Sequence, residues 1–137
     1  MTILLDSSVL IAYLNRRDRY HAEASRLLPG LLDEKVLLAE PVLQELFYVL
    51  GSRVGYSQAV DAVATITDLF QIQSLELEDF HKMIGIMRKY ADASFDYADV
   101  ALMALADRFF SAHIATFDRR DFQIFRNRWG DPIPLLP

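Results

Sequence analysis

The chain has 137 residues, no cysteine, and 14 Lys+Arg against 19 Asp+Glu, a formal net charge of -5. A hydrophobic content of 53% with 24% charged residues is that of a globular chain and excludes disorder. The absence of cysteine excludes disulfides, thiolate zinc sites, iron–sulfur clusters and cysteine nucleophiles, and makes a cytosolic location the default expectation. The longest apolar run, Val100 to Ala106, is far short of the roughly 20 residues of a membrane span, so no membrane association is expected. Met1 to Asp6 meets an acid at once without a basic lead-in, which is not the pattern of a signal peptide. An acidic balance argues at first against nucleic-acid binding, which usually needs positive charge against phosphates.

No linker, repeat or low-complexity tract divides the chain, so a single domain over 1–137 is expected. Thr2 to Leu5 reads as a strand ending at Asp6, with Ser7 and Ser8 opening an apolar helix through Leu14. Asn15 to Arg19 is a polar loop. His21 to Leu32 reads as a helix that Pro29-Gly30 should break or kink. Val36 to Ala39 is a second strand. Pro41 starts a helix carrying Val42, Leu43, Leu46, Phe47, Val49 and Leu50 at helical spacing and ending before Gly51. Ser57 opens the next, with Ala59, Val60, Val63, Ile66, Leu69 and Phe70 expected inward. Ile72 to Leu75 is a short strand, and Leu77 to Tyr90 a helix through Phe80, Met83, Ile84 and Met87. Tyr97 to Phe110 is a helix rich in Ala and Leu, Ile114 to Phe117 a late strand, and Ile133 to Leu136 a last edge strand. Strands alternating with helices give an α/β fold with a mainly parallel sheet. Ligands of such sheets bind beyond the carboxyl ends of the strands.

Several acids fall where that rule points. Asp6 and Asp118 each follow a strand, whereas Glu45, Asp96 and Asp99 sit on or at the start of helices. Each has a blander reading alone: Asp6 as a helix N-cap, Glu45 as an exposed helical acid, Asp96 with Asp99 as a capping arrangement, Asp118 as a turn acid with Asp121 capping the next short helix. Asp96 and Asp99, spaced i, i+3, lie on one side of a first turn, where like charges repel unless a cation intervenes. Gathered into one cleft, these carboxylates are hard oxygen ligands suited to Mg2+ or Mn2+. Such ions activate water for displacement at phosphorus.

The residues resemble the PIN-domain family, in particular the stand-alone toxins of VapBC-type toxin–antitoxin pairs. The resemblance is carried by Leu4-Leu5-Asp6-Ser7-Ser8-Val9-Leu10-Ile11-Ala12-Tyr13-Leu14 and by the Leu43-Gln44-Glu45-Leu46 helix. It continues through Asp96-Tyr97-Ala98-Asp99-Val100-Ala101 and Ile114-Ala115-Thr116-Phe117-Asp118-Arg119-Arg120-Asp121-Phe122. It covers nearly the whole chain. It implies a three-layer α/β/α sandwich around a short parallel sheet, and a Mg2+- or Mn2+-dependent endoribonuclease. An antitoxin that occludes the active site, and a homodimer, are implied as well. By position, Asp6, Glu45, Asp99 and Asp118 match the catalytic acids, with Asp6, Asp99 and Asp118 as metal ligands. Asp96 matches an additional acid; Ser8 and Thr116 match supporting hydroxyl positions. Arg16, Arg17, Arg19, Arg119 and Arg120 are candidates for holding the RNA backbone.

Other readings fit less well. A haloacid-dehalogenase-type phosphatase wants an acid where Ser8 stands, and a receiver domain wants a lysine after its last strand, where none of Lys35, Lys82 and Lys89 lies. His21, His81 and His113 lack zinc-site spacing, and no Gly-x-Ser-x-Gly or phosphate-binding glycine loop occurs. A free-standing PIN nuclease of RNA processing, or a non-catalytic protein-binding module, are the alternatives that remain. The net charge does not exclude an RNA substrate. Without Asp6, Glu45, Asp96, Asp99, Asp118 and Asp121, the remaining 13 acids face 14 bases, 11 of them arginine.

Overall fold

The computed structural model describes residues 1–137. Five strands, β1 (Thr2–Leu5), β2 (Lys35–Ala39), β3 (Gln71–Gln73), β4 (His113–Ala115) and β5 (Leu135–Leu136), form one sheet in the order β3-β2-β1-β4-β5. Every pairing is parallel, with Ile3 opposite Val36 and His113 across the centre. Parallel neighbours need crossovers, and these are the helices: α1 (Ser7–Leu14), α2 (His21–Leu31), α3 (Glu40–Arg53), α4 (Tyr56–Leu69), α5 (Leu77–Lys89), α6 (Tyr97–Arg108) and the short α7 (Arg120–Ile124). They flank the sheet in the expected α/β/α arrangement. The central strands are apolar on both faces, as a sheet covered by helices requires. Ile3, Leu4, Leu5, Leu37, Leu38 and Ile114 are all at most 1% exposed. A single cluster of 35 buried residues runs from Ile3 to Ile133. α6 lies deepest: every residue from Ala98 to Asp107 is buried, and small Ala side chains let it approach β1 and β4 closely.

Some boundaries differ from the sequence expectation. Pro29 does not break α2 at its own position, because it falls in the last turn. The carbonyl it leaves without a donor belongs to Ser25, on the exposed side. α3 runs through Gly51, whose backbone is helical, to Arg53. Gly55, at φ +143, makes the turn into α4, a conformation costly for any residue with a Cβ. Val60 and Leu69 of α4, and Phe80 and Ile84 of α5, are exposed rather than inward. α5 instead buries Asp79, Met83 and Ile86, because Asp79 caps the helix start and pairs with Arg108 of α6, which turns that face inward. The last two strands are shorter than expected, His113–Ala115 and Leu135–Leu136, and β3 starts at Gln71.

Strand order reverses about β1, whose chain connection leads to β2 on one side while β4 lies on the other. The crevice beyond the carboxyl ends of β1 and β4 is therefore the place for a site.

Candidate active site

Asp6 leaves β1 and N-caps α1, its Oδ1 accepting the Ser7 amide at 2.8 Å. The blander reading and the functional one are compatible, because the cap uses only one oxygen. Its Oδ2 accepts Ser8 Oγ at 2.8 Å and Thr116 Oγ1 at 2.6 Å. Each hydroxyl also accepts a backbone amide, Phe117 N–H to Ser8 at 3.0 Å and Asp118 N–H to Thr116 at 2.9 Å, and Thr116 Oγ1 lies 3.1 Å from the Asp118 carbonyl, a longer alternative to its bond with Asp6. The 3.2 Å approach of Ser8 Oγ to Thr116 Oγ1 follows from both donating to the same oxygen. Three donors thus occupy three of the roughly four lone-pair positions of the Asp6 carboxylate. β1, α1 and the loop after β4 are clamped together around it. Burial pushes the Asp6 pKa up, and the hydroxyls of Thr116 and Ser8 offset part of that.

Glu45 projects from α3 toward α1 and accepts a hydrogen bond from the buried Ser7 hydroxyl. Asp96 occupies the N-cap position of α6, but its side chain makes no capping bond; it is exposed and lines the cleft instead. Asp99, one turn on, is buried at the wall of the same cleft. Its pKa is raised to about 8, by burial first and then by Asp6, Glu45, Asp118 and Asp96. Asp118 completes the group from the loop after β4. Asp121 lies in the first turn of α7 rather than at its N-cap, and burial together with Asp118 raises its pKa.

The cleft has a volume of about 380 Å3 and is lined by six acids, Asp6, Asp18, Glu45, Asp96, Asp99 and Asp118, against two bases, Arg19 and Arg53. The five ion pairs of the protein all lie elsewhere. A wider cavity of about 630 Å3, beside α5 and the end of α6, is also rich in charge. There, however, Asp107, Glu76 and Asp79 are paired with Lys82, Arg108 and Arg128. Uncompensated negative charge distinguishes the smaller cleft. Its anionic donors are carboxylates, with the hydroxyls of Ser7, Ser8 and Tyr20 beside them, and oxygen donors of this kind suit a hard divalent cation. No three of these acids lie close enough together to hold a metal ion by themselves.

Of the arginines singled out in the sequence, only Arg19 lines the cleft, with its guanidinium 4.8 Å from the Tyr20 ring centre. Arg16, Arg17 and Arg120 are exposed outside it, and Arg119 donates to the Pro137 carbonyl at 2.7 Å. The polar loop folds back through Tyr20, which stacks flat on Phe117 at 4.7 Å, and only its last residues reach the acids.

The PIN domain family model matches residues 3–127, a span that holds all of these acids. The chain belongs to the PIN-domain family. Ribonuclease VapC26 of Mycobacterium tuberculosis is 30% identical over 141 residues, spanning 98% of this chain and 100% of that protein. Among solved structures, the sarcin–ricin loop cleaving toxin VapC20 of Mycobacterium tuberculosis superposes with a TM-score of 0.76 at 20% identity, covering 85% of this chain and 90% of its own. VapBC2 from Rickettsia felis, bound to a DNA fragment from its promoter, gives 0.74 at 15% identity, covering 98% and 97%.

Ser7, Asp18 and Arg53 of this PIN domain's cleft escaped the sequence reading, Asp18 because it sits in what reads as a solvated loop. Ser7 looked like a mere helix starter, yet its hydroxyl ties Glu45 to the end of β1. Arg53 closes α3 two turns beyond Glu45. A basic residue in the last turn of an acid-bearing helix was the available signal, and it also has an ordinary explanation in the helix dipole.

Proposed function

We propose that this protein is a Mg2+- or Mn2+-dependent endoribonuclease, the toxin of a toxin–antitoxin pair, which hydrolyses RNA phosphodiester bonds in the acid cleft. The observation that carries the reading is the convergence, at the carboxyl ends of β1 and β4, of unpaired carboxylates from four separate parts of the chain. Asp6, Asp99 and Asp118 are the proposed metal ligands, and Glu45 and Asp96 complete the negative shell and orient the attacking water. When bound, the ion supplies Lewis acidity at the phosphate and a water of lowered pKa. Ser8 and Thr116 hold Asp6 in one rotamer, so the remaining acceptor position of its carboxylate has a fixed direction. Ser7 holds Glu45 in the same way. Arg19 and Arg53, at the edge of the cleft, are placed to take phosphate oxygens by forked hydrogen bonds.

The similarity to VapC26, a named ribonuclease, supports the activity, and the VapBC assemblies among the structural neighbours support an antitoxin partner. We further propose that residues 1–137 act as one nuclease unit, as a homodimer in the cytoplasm; no helix is long and apolar enough to cross a membrane. Purified protein is expected to cleave RNA with Mg2+ or Mn2+. Chelator and Asp6→Asn should each abolish cleavage, while circular dichroism stays unchanged. Co-expression of a small protein encoded next to it should suppress the activity. Full cleavage in excess chelator would refute the metal mechanism.

A further inference from the structure

A second hollow of about 310 Å3 adjoins the acid cleft, with Pro41, Gln44, Glu45, Tyr48, Asp96 and Tyr97 in its wall. It shares Glu45 and Asp96 with the cleft, so the two are continuous. Tyr48 stands one helical turn after Glu45 on α3, and Tyr97 directly follows Asp96 at the start of α6. The elements that bring the acids therefore bring an aromatic ring beside each.

Both rings are open to solvent at the hollow. Tyr48 is 69% exposed and Tyr97 52%. Tyr20, Tyr56 and Tyr90 each pack against a phenylalanine ring, whereas Tyr48 and Tyr97, like the less exposed Tyr13, pack against no aromatic ring. The hollow holds two carboxylates and no basic side chain, while Arg19 and Arg53 lie only along the acid cleft. An anionic ligand group is repelled on this side and attracted on the other. A flat, neutral, π-rich group with a hydrogen-bonding edge suits the hollow: the rings offer faces and Gln44 offers an amide.

We propose that this hollow is a nucleobase subsite, in which Tyr48 and Tyr97 stack on an unpaired base next to the scissile phosphate and the Gln44 amide meets its edge. The subsite deepens the nuclease reading and rests on it for the identity of the strand.

Two probes separate bases from phosphates, both used with the full chain in chelator so that no cleavage occurs. One is a short fluorescein-labelled oligoadenylate read by anisotropy; the other is inorganic polyphosphate as a competitor. Tyr48→Ala and Tyr97→Ala are each expected to weaken oligoadenylate about 10-fold and leave polyphosphate competition unchanged, with Tyr97→Phe retaining wild-type affinity. Arg53→Ala should weaken both probes. An equal loss of both probes in the tyrosine variants, or no loss at all, would overturn the subsite. So would a change of sedimentation in those variants with oligoadenylate affinity unaltered, which would show that a second copy of the chain covers the rings. Tyrosine-dependent binding without any Mg2+-supported cleavage would keep the subsite and remove the nuclease reading. Cleavage without tyrosine dependence would do the reverse.

Discussion

At Asp99, burial and four neighbouring carboxylates all favour the protonated form, to a pKa of about 8. A buried acid of this kind burdens the fold once it ionises, and a proton or a bound cation relieves it. Asp99→Asn keeps the shape and removes the charge. It is expected to reduce RNA cleavage by at least about 100-fold while raising the unfolding free energy in chelator near neutral pH by about 1 kcal/mol. Urea unfolding followed by circular dichroism measures the second effect. A variant that is both inactive and less stable would indicate that the carboxylate is structural. Legibility at this scale followed geometry. Asp6 and Asp118 were visible because a strand has one end and a residue just past it has little choice of place. Ser7, Arg53, Tyr48 and Tyr97 were not, because which side of a helix faces the cleft depends on how α1, α3 and α6 pack together, and local sequence does not state that.

The helices themselves were largely legible in kind, and the errors concern their faces and ends. The periodicity of α5 pointed Phe80 and Ile84 inward, but its inward face is held by a polar residue, Asp79, whose carboxylate caps the helix and meets Arg108 of α6. A hydrophobic pattern cannot register a buried acid that is already paired. Gly51 looked like the stop of α3, although a glycine with helical backbone has no cause to stop a helix. Gly55, with φ +143, does. The far end of α6 shows the same polar anchoring. Asp107 is buried, accepts the Arg128 amide at 2.7 Å and pairs with Lys82 at 3.0 Å. Together with Arg128, these contacts hold its pKa below the usual carboxylate range, although burial works the other way. Asp107→Ala is expected to destabilise the protein by about 1–3 kcal/mol. The value stays below that of a fully buried pair because Lys82 and Arg128 can turn to water. Cleavage should be unaffected in thermally intact protein, since this network lies apart from the acid cleft. A melting curve with RNA cleavage on the same sample tests both halves. Loss of activity at full stability would place the α6 terminus in the site.

For the whole molecule, the net charge of -5 is unevenly placed, and its most concentrated part, the cleft, makes stability depend on pH and on cations. The folded pKa of Asp99, about 8, lies above its ordinary value of 3.8. Between the two, the folded chain holds a proton that the unfolded chain has released, so stability falls as pH rises through that window. Asp6, also raised by burial, acts with the same sign. Asp107 is lowered, so its stabilisation is lost only under acid, below the window. Without divalent ions the melting temperature should therefore drop between about pH 5 and pH 8. A bound ion takes the place of the proton and stabilises the folded state by mass action. Mg2+ or Mn2+ should then raise the melting temperature little near pH 5, and by about 5 °C near pH 8. Asp6→Asn should blunt the increment at every pH. Ionic strength matched with NaCl separates binding from screening, because screening acts on all surface charges and does not need Asp6. An equal gain from NaCl, or a divalent-ion increment independent of pH, would mean that the carboxylates of the cleft do not share an ion.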